Sequence, residues 1–255
     1  MLKKINRNYW THRAPGYSEV NQVELGTPQR EIWKGVLAQR LRAGFPGQPL
    51  ESLRVLDVGA GPGFFSIILA ELGCQVTAVD YTPAMLDEAR RNAGAIADRI
   101  RFLEMDAENL QFEDGCFDAV FSRNLTWNLP HPERAYAEWL RVLKPGGLLI
   151  NFDANWYAYL YDKEARAAYE RDRARTARAN IKDEYTCTDI DAMEAIARRV
   201  PLSRIARPAW DLDCLKRLGA AQPAADPQIW SAVWSDEEKI NFRATPLFMV
   251  SAQRA

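Results

Sequence analysis

The segment Val55-Leu-Asp-Val-Gly-Ala-Gly-Pro-Gly63 constrains this chain more than any other stretch. A short apolar run meets glycines at 59, 61 and 63, and the apolar stretch Phe64-Phe-Ser-Ile-Ile-Leu-Ala70 follows at once. That order reads as a buried strand, a sharp turn and the start of a helix. Glycines let the backbone turn tightly and approach a ligand, and the helix N-terminus offers it free N–H groups. Alone, such a turn marks a nucleotide-type site. A dinucleotide version needs a small residue at its third fingerprint position, and Phe64 stands there.

From residue 53 onward, short apolar strands alternate with amphipathic helices. Strands are expected at 53–58, 75–79, 100–104, 117–122, 147–152 and 245–252, with helices at 63–72, 83–97 and 132–143. Nearly continuous apolar strands, each followed by a helix, predict a parallel sheet covered on both faces. Lys144-Pro-Gly-Gly147 reads as a tight exit from a helix into the fifth strand. Residues 1–50 form an N-terminal helical arm in this reading, with helical spacing clearest over 28–42. After Asp153 the pattern changes. An Ala-, Arg- and Tyr-rich stretch at 156–183 and a helix with Thr188 as N-cap make residues 156–204 a helical lid or substrate subdomain, or simply a packing insertion. A helix at 211–219 returns the chain to the core, assigned to 51–155 and 205–255.

With 47% hydrophobic and 26% charged residues and a net charge of -1, the composition predicts a folded α/β domain without a global field for nucleic acid. No apolar run approaches the ~20 residues of a membrane span, so a soluble cytoplasmic protein with a small-molecule partner is expected. Cys74, Cys116, Cys187 and Cys214 form no C-x-x-C pair and read as reduced thiols; with only His12 and His131 besides, no metal site is expected.

Two acids follow the glycine turn in register. Asp80 ends the second strand about 20 residues on, where a Rossmann-like sheet presents a carboxylate to a ribose; alternatively it satisfies amides at the next helix. Asp106 follows the third strand, placed to accept from an adenine amino group while Ala107 donates its N–H; a local turn is the other reading. With Phe117-Asp-Ala-Val-Phe-Ser-Arg-Asn124 and Lys144-Pro-Gly-Gly147, residues 50–153 resemble the class I S-adenosylmethionine-dependent methyltransferases, particularly the branch with ubiquinone- and menaquinone-biosynthesis enzymes. The resemblance implies a Rossmann-like doubly wound seven-stranded sheet with an antiparallel last strand. It implies that Gly59 and Gly61 approach the methionine part of S-adenosylmethionine, with Asp57, Ala60, Tyr81, Met85 and Asn124 in the same crevice. Tyr9, Trp10, Arg13 and Tyr17 look like an arm folded over the cofactor, or else pack onto the core.

The implied activity is methyl transfer to a small molecule, leaving S-adenosylhomocysteine. A cofactor-binding module or partner subunit without turnover is the alternative, and a protein or RNA methyltransferase is a weaker one. Arg-Asn-Leu-Thr-Trp127 stands where amino-methylating nucleic-acid and glutamine enzymes carry a Pro-Pro motif, which argues against those classes. Arg123, Trp127, Asn155 and Trp156 are expected to face the acceptor, with His131 and Asp153 as candidate bases. Trp127 and Trp156 form an aromatic wall or ordinary core. Arg166, Arg171, Arg173, Arg175 and Arg178 suit a solvated helix face better than an anion site.

Overall fold

Among the described residues of the computed structural model, 1–185 and 188–255, seven strands form one sheet. Cys187 lies outside the described residues. The strands are β1 Arg54–Val58, β2 Gln75–Asp80, β3 Ile100–Glu104, β4 Phe117–Arg123, β5 Leu143–Asp153, β6 Ala221–Asp226 and β7 Phe248–Gln253. Their order is β3-β2-β1-β4-β5-β7-β6, parallel from β3 to β5, with β7 antiparallel to both neighbours. The expected doubly wound sheet with an antiparallel last strand is present, and its direction of winding reverses between β1 and β4. Ligands of open α/β sheets bind at such a reversal, outside the carboxyl ends of the strands.

Burial on both faces holds the sheet. Val55, Phe121, Ile150 and Phe152 turn to one apolar cluster with helix α2 (Gln29–Gly44) and helix α3 (Phe64–Glu71). Leu56, Val120, Leu149 and Val250 turn to the other, with helix α5 (Pro132–Val142) and helix α8 (Ala209–Arg217). Successive strand residues thus serve opposite cores, as the two-residue period requires. Helix α4 (Pro83–Ala93) packs closely on the glycine turn. Gly63 has φ +91°, and a Cβ there would sit 3.0 Å from the Ala89 Cβ, so glycine is needed both for the turn and for the approach.

The N-terminal arm is helical as expected, its helix α1 spanning Leu2–Gly26 with Pro15 inside it. Several other boundaries differ from the sequence expectation. β5 begins at Leu143, so Lys144-Pro-Gly-Gly147 belongs to an irregular strand rather than to a turn before it; the register shifts between Phe117 and Ala119 opposite. β6 was not expected. It contains Pro223 and pairs on one side only, with β7, as an edge strand tolerates. The insertion carries helix α6 (Lys163–Ala179) and helix α7 (Ile190–Ala197). Asp189, not Thr188, caps α7, because its carboxylate accepts the Ala192 N–H at 3.0 Å. Helices α9 (Trp230–Val233) and α10 (Asp236–Asn241) precede β7. The α6 arginines are partly ion-paired: Arg166 with Glu170, Arg175 with Asp172, and Arg173 with Asp183 beneath the Tyr185 ring.

A buried polar cluster ties these parts together. The Arg207 guanidinium donates to Asp153 Oδ2 (2.6 Å), to both Asp211 oxygens and to Thr126 Oγ1, and the side chains of all three charged groups are essentially free of solvent. Removing one member of such a pair leaves an uncompensated buried charge, at a cost of about 3–5 kcal/mol. Arg207→Met is therefore expected to lower the unfolding free energy by about that much in urea titration. A loss below ~1 kcal/mol would mean that the two carboxylates find other partners.

Candidate active site

Two cavities open at the carboxyl ends of β1, β2 and β4. The first, of about 120 Å³, is lined by Asp57, Gly59, Ala60, Gly61, Phe64, Asp80, Tyr81, Met85, Asp106, Ala107 and Asn124, together with α1 residues that include Lys3, Arg7, Trp10 and Tyr17. Gly59 has φ +68°, which strains any L side chain, and a Cβ there would lie 2.6 Å from Leu125 Cδ2, so a larger residue would also displace Leu125. The glycine turn, Asp80 and Asp106 therefore meet in one crevice, as the sequence implied.

The electrostatics of this crevice follow from burial. Asp57 accepts from Ser66 Oγ at 2.5 Å, and burial pushes its carboxyl up to about 7 against that hydrogen bond. Asp80 accepts the Gly61 N–H at 2.9 Å and the Thr82 N–H at 2.8 Å; burial outweighs these bonds and pushes its carboxyl up to about 6. Its role of satisfying amides is thus seen directly, and the same carboxylate borders the cavity. Asp106 makes the local turn, accepting the Glu108 N–H, and also pairs with Lys3 at 2.6 Å. Burial disfavours the charge on Lys3, but Asp106 and Glu108 outweigh it and hold its ammonium above the ordinary value. Asn124 Oδ1 and Asn128 Oδ1 are buried without a hydrogen-bond partner in the first cavity's wall. Unpartnered acceptors beside carboxylates suit a ligand that brings hydroxyl, amino and ammonium donors.

The second cavity, of about 480 Å³, is walled by Trp127, Trp156, Tyr157, Tyr185, Trp234 and Phe242, with Tyr9 and Arg13 on the α1 side. The two cavities share Trp10, Tyr17, Asn21, Arg123 and Asn124. Arg123 is paired through both guanidinium ends with the buried Glu24 and lies 4.6 Å from the Phe64 ring centroid. Burial opposes its charge, but Glu24 more than compensates and holds it above the ordinary value.

Not every expected residue arrives. Tyr9 and Arg13 line the second cavity and not the first, because on α1 they fall on the helix face turned toward the insertion; Tyr17 borders both. His131 is exposed at the start of α5 and lines neither cavity; its backbone N–H is tied to Glu108. Asp153 is wholly buried, and its Oδ2 accepts from Thr126, the Trp127 N–H and Arg207, which leaves it no access to an acceptor. Asn155 borders neither cavity: it exchanges hydrogen bonds with the Arg207 backbone. Asp153 and Asn155 therefore border neither cavity and hold the backbone of Trp127, Ala154 and Arg207 instead. Residues the sequence did not single out include Lys3, Asn21, Glu24 and Glu238; Lys3, Asn21 and Glu24 sit on α1, within the expected helical arm. Among the described residues no cluster of His, Cys, Asp or Glu suits a metal ion, and no helix is long and apolar enough to cross a membrane.

Residues 56–151 match the family described as methyltransferase domain. Over 137 residues the chain is 40% identical to a demethylmenaquinone methyltransferase of Clavibacter sepedonicus, covering 54% of this chain and 53% of that protein. A second of that name, from Deinococcus radiodurans, is 41% identical over 140 residues, covering 54% and 55%. The chain thus spans about half the length of these curated relatives. The solved geranyl diphosphate C-methyltransferase of Streptomyces coelicolor A3(2) superimposes with a TM-score of 0.56 at 16% identity, covering 87% of this chain and 77% of that one, which is a likeness of fold.

The raised Asp80 carboxyl gives the first cavity a pH signature. Its ionised form accepts hydroxyl donors; below about pH 6 it is protonated and that capacity is lost. Adenosine affinity, followed by calorimetry, is expected to hold above pH 6 and to fall toward tenfold per unit below it, which is the limiting slope for one proton. Asp80→Asn removes that limb of the profile; an identical profile in the variant would take Asp80 out of the site.

Proposed function

We propose that this chain, whose residues 56–151 match the family described as methyltransferase domain, transfers a methyl group from S-adenosylmethionine to a small-molecule acceptor. The observation that carries this reading is the junction of the two cavities at Tyr17, Arg123 and Asn124. One side has the carboxylates and glycine turn suited to an adenosine; the other has room for an acceptor. When bound, the sulfonium supplies an electrophilic methyl carbon and leaves as S-adenosylhomocysteine.

The chain's own contribution is binding and orientation. Asp80 would take the ribose hydroxyls, Asp106 and Ala107 the adenine, and Gly59, Gly61 and Asn124 the amino-acid portion. Asp57, Ala60, Tyr81 and Met85 complete the crevice. Residues 1–50 act as the cover, since Trp10 and Tyr17 close the junction from α1, and residues 156–204 supply part of the acceptor wall as a substrate subdomain. Holding the acceptor in line at a junction shielded from water supplies much of the rate of such a transfer. No general base is assigned.

The relatives' names bring a quinone-type acceptor to this chain as one reading. The match to the methyltransferase family ends at residue 151, before Trp156, Tyr157, Tyr185, Trp234 and Phe242.

S-adenosylhomocysteine at a hundred times its dissociation constant is expected to stabilise the fold by ~2.7 kcal/mol, with no effect of NAD. Asp80→Ala should weaken its binding by about tenfold or more, the loss of one charge-assisted bond. Stabilisation by NAD alone would overturn the reading. Binding without transfer of a labelled methyl group to any metabolite fraction would reduce the chain to a cofactor-binding module.

A further inference from the structure

The second cavity has a chemical bias that its aromatic walls and its charges share. Trp127 stacks near Tyr157 at 4.9 Å between centroids, and Phe242 joins Trp156 (5.4 Å), Tyr185 (5.5 Å) and Trp234 (5.7 Å) into a continuous wall. Ring faces carry negative potential and attract cations. The tyrosines keep their protons, since burial pushes both the Tyr157 and the Tyr185 hydroxyl well above the ordinary value. Among the described residues of the lining, carboxylates outnumber cations: Glu19, Glu24, Glu184, Glu237 and Glu238 against Arg13, Arg123 and Lys182. Arg123 is taken by Glu24, Lys182 lies 3.2 Å from Glu184, and Arg13 rests over the Tyr17 ring. The balance left for a ligand is negative.

Glu238 is the part of this wall built to face a cation. Its Oε2 is fixed by the Ser235 N–H at 2.8 Å, in the capping box of α10, and by Gln29. The carboxylate is thus held in place at the cavity side of the helix. At the junction, the buried Asn124 Oδ1 is a further acceptor without a partner. A donor-bearing cation would meet aromatic faces, a fixed carboxylate and an amide oxygen along its path. An anionic acceptor would meet excess negative charge, and a neutral quinol would leave Glu238, held above its ordinary value by burial and by Glu24, with only the Arg123 guanidinium that it shares with Glu24.

We infer that the second cavity takes an organic amine, in its ammonium form, with an apolar or aromatic body, held by the aromatic wall and Glu238 with its nitrogen toward Asn124. To accept a methyl group the bound ammonium must first lose a proton, to Glu238 or to solvent, so that the nitrogen lone pair forms the new N–C bond as the S–C bond breaks. The acceptor class rests on the methyltransferase reading above, while the binding preference of the cavity does not.

The test is calorimetric titration of the full chain at pH 7.5 and 0.15 M salt, with and without S-adenosylhomocysteine. The probes are N-methylbenzylamine, its neutral analogue benzyl methyl ether, phenylacetate and 1,4-naphthohydroquinone. The amine is expected to bind at least about tenfold more tightly than the ether, the scale of one charge-assisted contact, and phenylacetate most weakly. Glu238→Gln keeps a residue that can close the capping box; it should cost the amine about tenfold and leave the ether unchanged. Trp156→Leu should weaken the amine more than the ether. No amine binding at millimolar concentration, tighter binding of the hydroquinone or of phenylacetate, or an unaltered amine affinity in both variants would overturn the inference. Amine binding in a chain that fails to bind S-adenosylhomocysteine would retain the cavity assignment and remove the methyltransferase reading instead.

Discussion

Arg207 sits between Asp153 and Asp211 with no access to water, and the walls of both cavities depend on that arrangement. Asp153 closes β5, Asp211 lies in α8, and Thr126 belongs to the loop that leaves β4. Burying a guanidinium and two carboxylates carries a large desolvation cost, tolerable only because nearly every lone pair and N–H is used. The Trp127 and Ala154 N–H groups donate to Asp153, Tyr136 donates to Asp211, and Asn151 donates to Thr126. What this cluster yields is position. It fixes the backbone just beyond Asn124 and sets Trp127 as a wall of the second cavity, which a purely apolar contact among three loops would specify less sharply.

The cover over the first cavity is held differently along its length. Near the start of α1, Arg7 reaches Glu104 through a part-exposed ion pair that contributes ~0–1 kcal/mol, and Lys3 bridges the part-exposed Asp106 and the buried Glu108. Near its end, Glu24 is buried against Arg123. The junction of the cavities thus carries a largely buried pair, and the first cavity's side of α1 carries pairs that are partly open to solvent. The negative ends of β3, which would otherwise repel one another, are also where the helix brings its cations.

What was legible in the sequence was whatever burial writes with a short period. The five parallel strands and the glycine turn show because both faces of the sheet are apolar, and Asp80 and Asp106 show because they end strands that are already recognisable. β6 has no such signature: Ala, Gln and Pro pair only with β7 at an edge. α1 is legible only as part of a helical arm over residues 1–50, because clear periodicity is confined to 28–42; Pro15 lies on an exposed face of a helix held by its contacts with α4. Asp153 looked like a base because a carboxylate at a strand's carboxyl end is common to catalysis and to structure; only Arg207, more than fifty residues later, decides between them. His131 was chosen for its residue type, and the helix start that follows it points the ring to solvent.

Phe64 shows how one residue can carry both an exclusion and a function. Its ring occupies the position where a dinucleotide turn needs a small side chain, and that alone argues against such a ligand. In the fold the same ring lies beneath the Arg123 guanidinium, with Trp33 and Phe65 completing an aromatic seat. Arg123 is thereby stacked on one side and paired with Glu24 on the other, at the end of the strand that delivers Asn124 with φ 57° into the junction. Replacing Phe64 with a small residue would unseat Arg123 as well as reshape the glycine turn. The departure from the dinucleotide pattern is thus coupled to the geometry that joins the two cavities, and neither could change without the other.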